Sequence, residues 1–514
     1  MRTRLLAALF AALLLLRLPS LVQPMGADQG LYAYVGDRIR HGELAYRDAW
    51  DQKPPGIHYV YAALRALSTS DAVVPAADLA SAALTAALLW VLGARLGGPA
   101  AGALSAVLFL ALSDPSFARY GGVRIRAQCE TFIALAVTGA LVLVTGRRSV
   151  PRLIAAGLLL GAVFALKYNA GLFAIVALAA AALTIGVGLR DAAWLAVGSS
   201  VVPAALLLVF WRGGALNDLY QATITYNLQY SGETYASRWD MLGYLVRFPF
   251  ERARLDGLWL AGGLGCGVLL AAARARRAAW VPIVWVAAAC LSIAINGSRN
   301  LPQYFLQASP ALGLAAGMGA AIAFKPLAPA LRAGVAVLLA IAVWRAGPDP
   351  FPDLARNVWH DARYMFGRID RRTHLARFGG TRSGEKFSAL DNIDLGAYLA
   401  SRTGPDEPVY VFGFSPGAYA YAQRRSASRF FWSRPVIVRF NAQDPRYAVA
   451  GLADELRSRP PAYVVLQKRD WAPDVPDSAG FFVAQPALVA WLRDEYHQVP
   501  DAVEGFLTWE RNGR

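Results

Sequence analysis

Residues 26–64 read GADQGLYAYVGDRIRHGELAYRDAWDQKPPGIHYVYAAL and follow an apolar run over 5–22. Asp28 falls within a few residues of the point where that first helix should leave a bilayer. Lys53-Pro54-Pro55 closes the stretch just before the chain turns apolar again. A carboxylate at a membrane surface can take the proton of a hydroxyl, and a lysine beside it can neutralise a lipid phosphate. Set between two apolar segments, the pair points to a membrane-embedded fold and to sugar transfer from a lipid-phosphate donor.

The rest of the chain agrees with a membrane setting. Of 514 residues, 56% are hydrophobic and 17% charged, against about 25% charged in average globular chains. The net charge of +16 does not indicate nucleic acid, because the basic residues form no stripe with interleaved aromatics. They sit in small groups between apolar runs, as cytoplasmic loops require. Cys129, Cys266 and Cys290 lie in or beside apolar runs at no metal-ligand spacing and read as packing residues. Arg2 and Arg4 precede the first apolar run, but no convincing cleavage site follows it, so the run reads as an uncleaved first helix.

Apolar runs recur near 5–22, 72–94, 100–113, 129–146, 153–166, 170–189, 192–211, 257–273, 279–295, 303–323 and 329–346. This predicts a mainly α, polytopic bundle of about eleven spans, although 100–113 is short for the ~17–25 residues typical of a span. With the N-terminus inside, the inner loops carry Arg95, Arg147, Arg148, Arg152, Arg190, Arg274, Arg276, Arg277, Lys325 and Arg332. The outer connections are then 23–71, 114–128, 212–256 and 296–302. Residues 57–67 are too short to span and read as an amphipathic surface helix. From about 347 to 514, short β-rich runs (409–413, 462–467) alternate with helical pattern (392–401, 487–496). The chain thus divides into a membrane domain over 1–346 and a small extracytoplasmic α/β domain over 347–514.

The polar residues that could do chemistry gather on one side. Asp28, Asp51, Lys53, Arg124, Arg126, Glu130, Lys167, Arg299 and Gln303 all fall at outer helix ends or in outer loops. Ionisable groups near the bilayer midplane, which an ion-coupled transporter needs, are scarce. That weighs against a lipid-linked sugar flippase, and a membrane-anchored scaffold is the remaining alternative. Asp28, Lys53 and Glu130 are expected to line one outer-face cavity.

These same residues resemble glycosyltransferase family 39, the protein O-mannosyltransferase and aminoarabinose-transferase relatives with the GT-C fold. The resemblance rests on the Asp28 loop, on Asp51-Gln52-Lys53-Pro54-Pro55-Gly56, on Glu130, and on GLLLGAVFALKYNAGL at 157–172. RNLPQYFLQASPALGLAAG (299–317) is similar to a later loop-to-helix motif of the family. VYVFGFSPGAYAYAQRRSASRF (409–430) is similar to the small outer domain of its bacterial members. The resemblance implies a plasma-membrane enzyme that moves a sugar from a polyprenyl-phosphate donor to a lipid, glycan or protein hydroxyl on the outer face. It places Asp28 as general base, Glu130 as a second acid, and Lys53 near the donor phosphate. Asp51, Arg124, Arg126, Lys167, Arg299, Gln303 and Tyr304 become candidate substrate-binding residues. Gln29 stands where the family often has Glu, so a paired-carboxylate metal site is not supported and no cofactor is expected. Gln303 stands where the later motif often has His. A single carboxylate suits one-step inverting displacement.

Plainer readings exist for each residue. Asp28 could cap the helix from Tyr32 onward, Lys53 could snorkel to headgroups, and Glu130 could complement a helix dipole. Arg124, Arg126, Lys167 and Arg299 could anchor headgroups, and Asp51 could orient Lys53. Gly413-Phe414-Ser415-Pro416-Gly417 fits a hydrolase elbow, but Pro416 has no N–H for an oxyanion hole. Gly263, Gly265 and Gly267 lie in an apolar span and read as helix-packing positions.

Overall fold

The computed structural model describes residues 2–117, 122–232, 234–328, 350–379, 387–470, 477–500 and 503–514, with isolated positions between 329 and 349. Each apolar run up to 303–323 coincides with a helix, and the last run, 329–346, lies largely outside the described residues. Among the described residues, four helices are long and apolar enough to cross a membrane: Val73–Gly97, Leu189–Arg212, Arg277–Ile295 and Pro302–Phe324. Two bent pairs raise this to six, and shorter apolar helices cover Pro99–Leu112, Cys129–Val144, Val150–Leu166 and Tyr168–Thr184.

Helix α1 (Arg2–Arg17) runs into a 3-10 turn started by Pro19, and the chain bends by 72° into α2 (Ala27–Arg40). The amphipathic stretch forms α3 (Gly56–Leu67), which buries Ile57, His58, Tyr61, Ala62 and Arg65. It packs on α2 at Gly36, where a Cβ would lie 2.7 Å from the Ala62 nitrogen. Helices α4 (Val73–Gly97) and α5 (Pro99–Leu112) form a tight hairpin through Gly98, whose φ of 93° suits glycine.

The bundle continues with α6 (Cys129–Val144), α7 (Val150–Leu166), α8 (Phe173–Thr184) and α9 (Leu189–Arg212). Small residues set its close approaches: a Cβ on Gly157 of α7 would lie 2.3 Å from the Leu195 oxygen of α9. The segment 212–256, read from its charge as a connection, is largely helical. It contains α10 (Leu216–Tyr220), a π turn over Gln221–Thr225, α11 (Tyr226–Gly232) and α12 (Arg238–Leu255). Arg238, Asp240, Arg247, Glu251, Arg252 and Arg254 masked the apolar stripe of α12, which exposes Trp239, Leu242, Val246 and Phe250. A bend of 119° leads into α13 (Gly257–Ala272), followed by α14 (Trp280–Ile295) and α15 (Ser309–Phe324). Gly265 meets α15 closely, with a Cβ placed 2.3 Å from the Ala315 oxygen, whereas Gly263 and Gly267 face open space.

The C-terminal part is an α/β unit with a four-stranded sheet in the order β1-β2-β4-β3. Strands β1 (Tyr410–Phe412) and β2 (Tyr463–Gln467) are parallel, and β4 (Phe506–Arg511) runs antiparallel to both β2 and β3 (Tyr496–Val499). Every residue of β1 and β2 is buried, which explains why both read as apolar or aromatic runs, broken only by Gln467 at the end of β2. Helices Ala389–Arg402 and Pro486–Glu495 fall where the periodicity placed them, the first capped by the Ser388 side chain.

This unit sits directly on the 23–71 segment. The Trp50 N–H donates to the Arg429 carbonyl at 2.9 Å, and Trp432 Nε1 donates to the Trp50 carbonyl at 3.0 Å. The Trp50 ring packs among Tyr226, Phe430, Trp432 and Phe440. The Ser426 N–H donates to the Tyr34 hydroxyl, and the Tyr421 hydroxyl donates to Asp71. Arg424 and Arg429 serve structure. The former bonds Thr403 and the Ala400 carbonyl, and the latter joins Glu455 and Asp218.

Candidate active site

Asp28 lies in the first turn of α2, whose N-cap is Gly26 with no side-chain cap bond. The carboxylate is therefore not spent on capping, and it faces a cavity near the positive end of the helix dipole. The neighbouring Gln29 side chain donates to the Val123 and Arg126 carbonyls at 2.7 and 2.6 Å, pinning the 122–128 loop. That loop holds Ala127 at φ 47°, a conformation alanine rarely adopts, and the Ala127 N–H donates to Asp78. The twist presents Gln128, whose side chain accepts from the Tyr32 hydroxyl and donates to Asp28 Oδ2 at 3.4 Å.

Asp51 is buried. Its Oδ1 accepts from the Gln52 N–H, and its Oδ2 lies 3.2 Å from His58 Nε2 on α3. This pair fixes the turn that delivers Lys53, whose carbonyl accepts from the Tyr46 hydroxyl at 2.8 Å.

Two cavities meet at Lys53. One, of about 560 Å³, is lined by Asp28, Asp51, Arg124, Arg299 and Gln303, with Phe387, Phe414, Trp432, Arg434 and Asp470 facing them from the C-terminal unit. The other, of about 420 Å³, is lined by Glu130 and Lys167 among residues of α6, the α7 end, α11 and α14. Gln52, Lys53, Tyr230 and Tyr304 line both. Of the three residues expected around one cavity, Lys53 lines both of these adjoining spaces, Asp28 the first and Glu130 the second. Tyr230 and Tyr304 line both, with Asp28 on the cap side and Glu130 on the bundle side.

Glu130 lies in the first turn of α6 and Lys167 directly follows α7, so the two helix ends meet in a Lys167–Glu130 ion pair. The Lys167 ammonium also stands 4.4 Å over the Tyr304 ring. Burial raises the Asp28 carboxyl above its ordinary range against the pull of Lys53, and the charges of Asp51 and Glu130 add to the rise. Burial works against the Lys53 ammonium, but Asp28 foremost, with Tyr304 and Glu130, outweighs it and holds the pKa well above the usual lysine range. The site keeps a fixed cation beside a carboxylate made more basic. Among the described residues, no group of three or more His, Cys, Asp or Glu side chains gathers where a metal could be held.

Arg126 lines neither cavity. Its guanidinium is buried, bonded to Gln23 at 2.6 Å, to Asp78 at 3.3 Å and to Ser116 at 3.2 Å. It supports the loop rather than meeting a ligand. Arg126→Ala should leave Asp78 as an uncompensated buried charge and cost about 3–5 kcal/mol. The effect is readable as a sharp loss of thermal stability, with Arg124→Ala melting near the wild type.

Sequence reading missed His58, Gln128, Tyr230 and the whole wall from the C-terminal unit. Asp470 in that wall is fully buried and accepts from the Phe414 N–H and from the Ser478 N–H and hydroxyl. Burial raises its carboxyl to about 6. A carboxyl with a higher pKa folded than unfolded (about 4) favours folding at low pH and loses that contribution as pH rises through about 6. Asp470→Asn should therefore gain stability relative to the wild type between pH 4 and 7. A set of thermal melts across that range checks it, and a constant difference would refute the assignment.

No protein-family model and no curated protein matches the chain by sequence. Solved structures do match its fold. The crystal structure of ArnT from Cupriavidus metallidurans bound to undecaprenyl phosphate aligns at TM-score 0.60 and 17% identity, covering 99% of this chain and 97% of that one. The Archaeoglobus fulgidus oligosaccharyltransferase tethered with an acceptor peptide aligns at TM-score 0.52 and 13% identity, covering 99% of this chain and 74% of that one. The chain has the GT-C fold, a multi-pass membrane helical bundle joined to a small C-terminal α/β unit.

Proposed function

We propose that the chain is a glycosyltransferase that moves a sugar from a polyprenyl-phosphate donor to a hydroxyl of a lipid, glycan or protein acceptor. The observation that carries this reading is the meeting of two cavities at Lys53, with Asp28 facing the same space. The undecaprenyl phosphate in the ArnT structure and the acceptor peptide on the oligosaccharyltransferase support the same assignment of substrates.

In this reading the donor phosphate rests at Lys53, between the Glu130–Lys167 side and the cap side. An acceptor hydroxyl enters from the cap side, among Arg124, Arg299 and Gln303. Asp28 takes its proton as the oxygen bonds to the sugar's anomeric carbon. The bond from that carbon to the phosphate oxygen breaks, and its electron pair leaves on polyprenyl phosphate. The extra negative charge meets the Lys53 ammonium. One displacement without an enzyme-bound sugar inverts the anomeric centre. Residues 1–346 form the membrane domain of this enzyme in the plasma membrane, with the N-terminus inside and the cap of 347–514 outside.

The test is incubation of the purified protein in lipid nanodiscs with a panel of undecaprenyl-phosphate-linked sugars, each labelled in the sugar. At least one should be converted to undecaprenyl phosphate. Binding of undecaprenyl phosphate without turnover of any panel member, by protein supplied with envelope extract as acceptor source, would count against the reading.

A further inference from the structure

Tyr230 stands where three separate parts of the chain converge. It belongs to α11, just after the π turn at Gln221–Thr225, a distortion that often marks functional positions. Asn227, one turn earlier, donates to the Gln52 carbonyl at 2.7 Å and so ties this segment to the Lys53 turn. The Arg299 guanidinium lies 3.8 Å over the Tyr230 ring, and its Nη2 donates to the Tyr230 carbonyl at 3.0 Å. Arg434, from the C-terminal unit, reaches within 5.8 Å of the same ring. The Tyr230 side chain is hydrogen-bonded to that of Tyr304, and the Tyr226 ring stacks at 6.0 Å. An aromatic ring is held from several sides in the wall shared by the two cavities.

We infer that Tyr230 is a positioning residue whose ring shields the donor's anomeric carbon from the cap-side cavity until an arriving acceptor displaces it, and so holds the reaction to its acceptor over water. This rests on the transferase reading above. Water is the smallest competing acceptor. Its oxygen can bond to the anomeric carbon as the bond to phosphate breaks, with the proton passing to Asp28 and the electron pair leaving on polyprenyl phosphate. A site that excludes water suppresses this loss. The clamp also links the cap to the seam, since Arg434 approaches the ring from the cap and Arg299 lies over it from the 296–302 loop.

The test uses the full chain in nanodiscs, a labelled undecaprenyl-phosphate sugar that the wild type turns over, and no added acceptor. Release of free sugar and binding of undecaprenyl phosphate are both measured. Tyr230→Ala should release free sugar at least about 10-fold faster than the wild type while still binding undecaprenyl phosphate, because the shield against water is gone. Tyr230→Phe keeps the ring and should stay within about threefold of the wild type. Arg434→Gln, which loosens the clamp from outside, should fall between them and covers the case in which Tyr230→Ala does not fold. Release unchanged in both Tyr230→Ala and Arg434→Gln overturns the inference, as does Tyr230→Phe leaking as fast as Tyr230→Ala. If the wild type neither binds undecaprenyl phosphate nor turns over any donor, the transferase reading falls and the inference with it.

Discussion

Asp28→Asn is expected to lower sugar transfer by roughly 10²–10⁴-fold, the usual worth of a positioned general base. It should bind undecaprenyl phosphate about as the wild type does. The amide keeps the shape of the carboxylate and can keep the contact with Gln128, which now lies 3.4 Å from Asp28 Oδ2. It cannot take a proton. Burial has moved the Asp28 carboxyl upward, so wild-type transfer should fall on acidification at a pH above the ordinary aspartate range of about 4. A progress curve for Asp28→Asn within a few-fold of the wild type would remove the base assignment. Retention of transfer with lost binding would instead place Asp28 on the donor.

Lys53→Ala is expected to damage two steps at once. A hydrogen bond to a charged group contributes about 1.5–3 kcal/mol, so undecaprenyl phosphate should bind roughly 10–150-fold more weakly. Turnover at saturating donor should fall as well, because the leaving phosphate gains charge where Lys53 stands. Lys53→Arg restores charge but not the compact ammonium and should recover only part of both losses. Saturation binding and single-turnover kinetics on the same preparations separate the two effects. Unaltered binding in Lys53→Ala would move the phosphate away from the seam between the cavities.

The bundle was legible because each apolar run had the length of a helix and little else to become. Asp28 and Lys53 were legible because both fall in one short stretch after the first apolar run. α12 was not, since charged residues on its other face hide the stripe of Trp239, Leu242, Val246 and Phe250. Nor could the sequence separate Arg124 from Arg126. They are two positions apart in one basic loop, yet the backbone sends one to the cavity and the other to Asp78. Tyr230 and Tyr304 are far apart in the chain, and nothing local in the sequence shows that their side chains are hydrogen-bonded and line both cavities. The cap-side wall is harder still. Phe414, Trp432, Arg434 and Asp470 carry no local pattern for a site, and they reach the cavity through the cap's contacts with Trp50, Tyr34 and Asp71.

The most direct measurement is a structure of the full chain determined with undecaprenyl phosphate bound. The expected result places the phosphate against the Lys53 ammonium, at the seam bounded by Tyr230 and Tyr304, with the Asp28 carboxylate facing the same space from the cap side. Density for the phosphate at another surface, with Lys53 and Asp28 out of reach of it, would contradict the account.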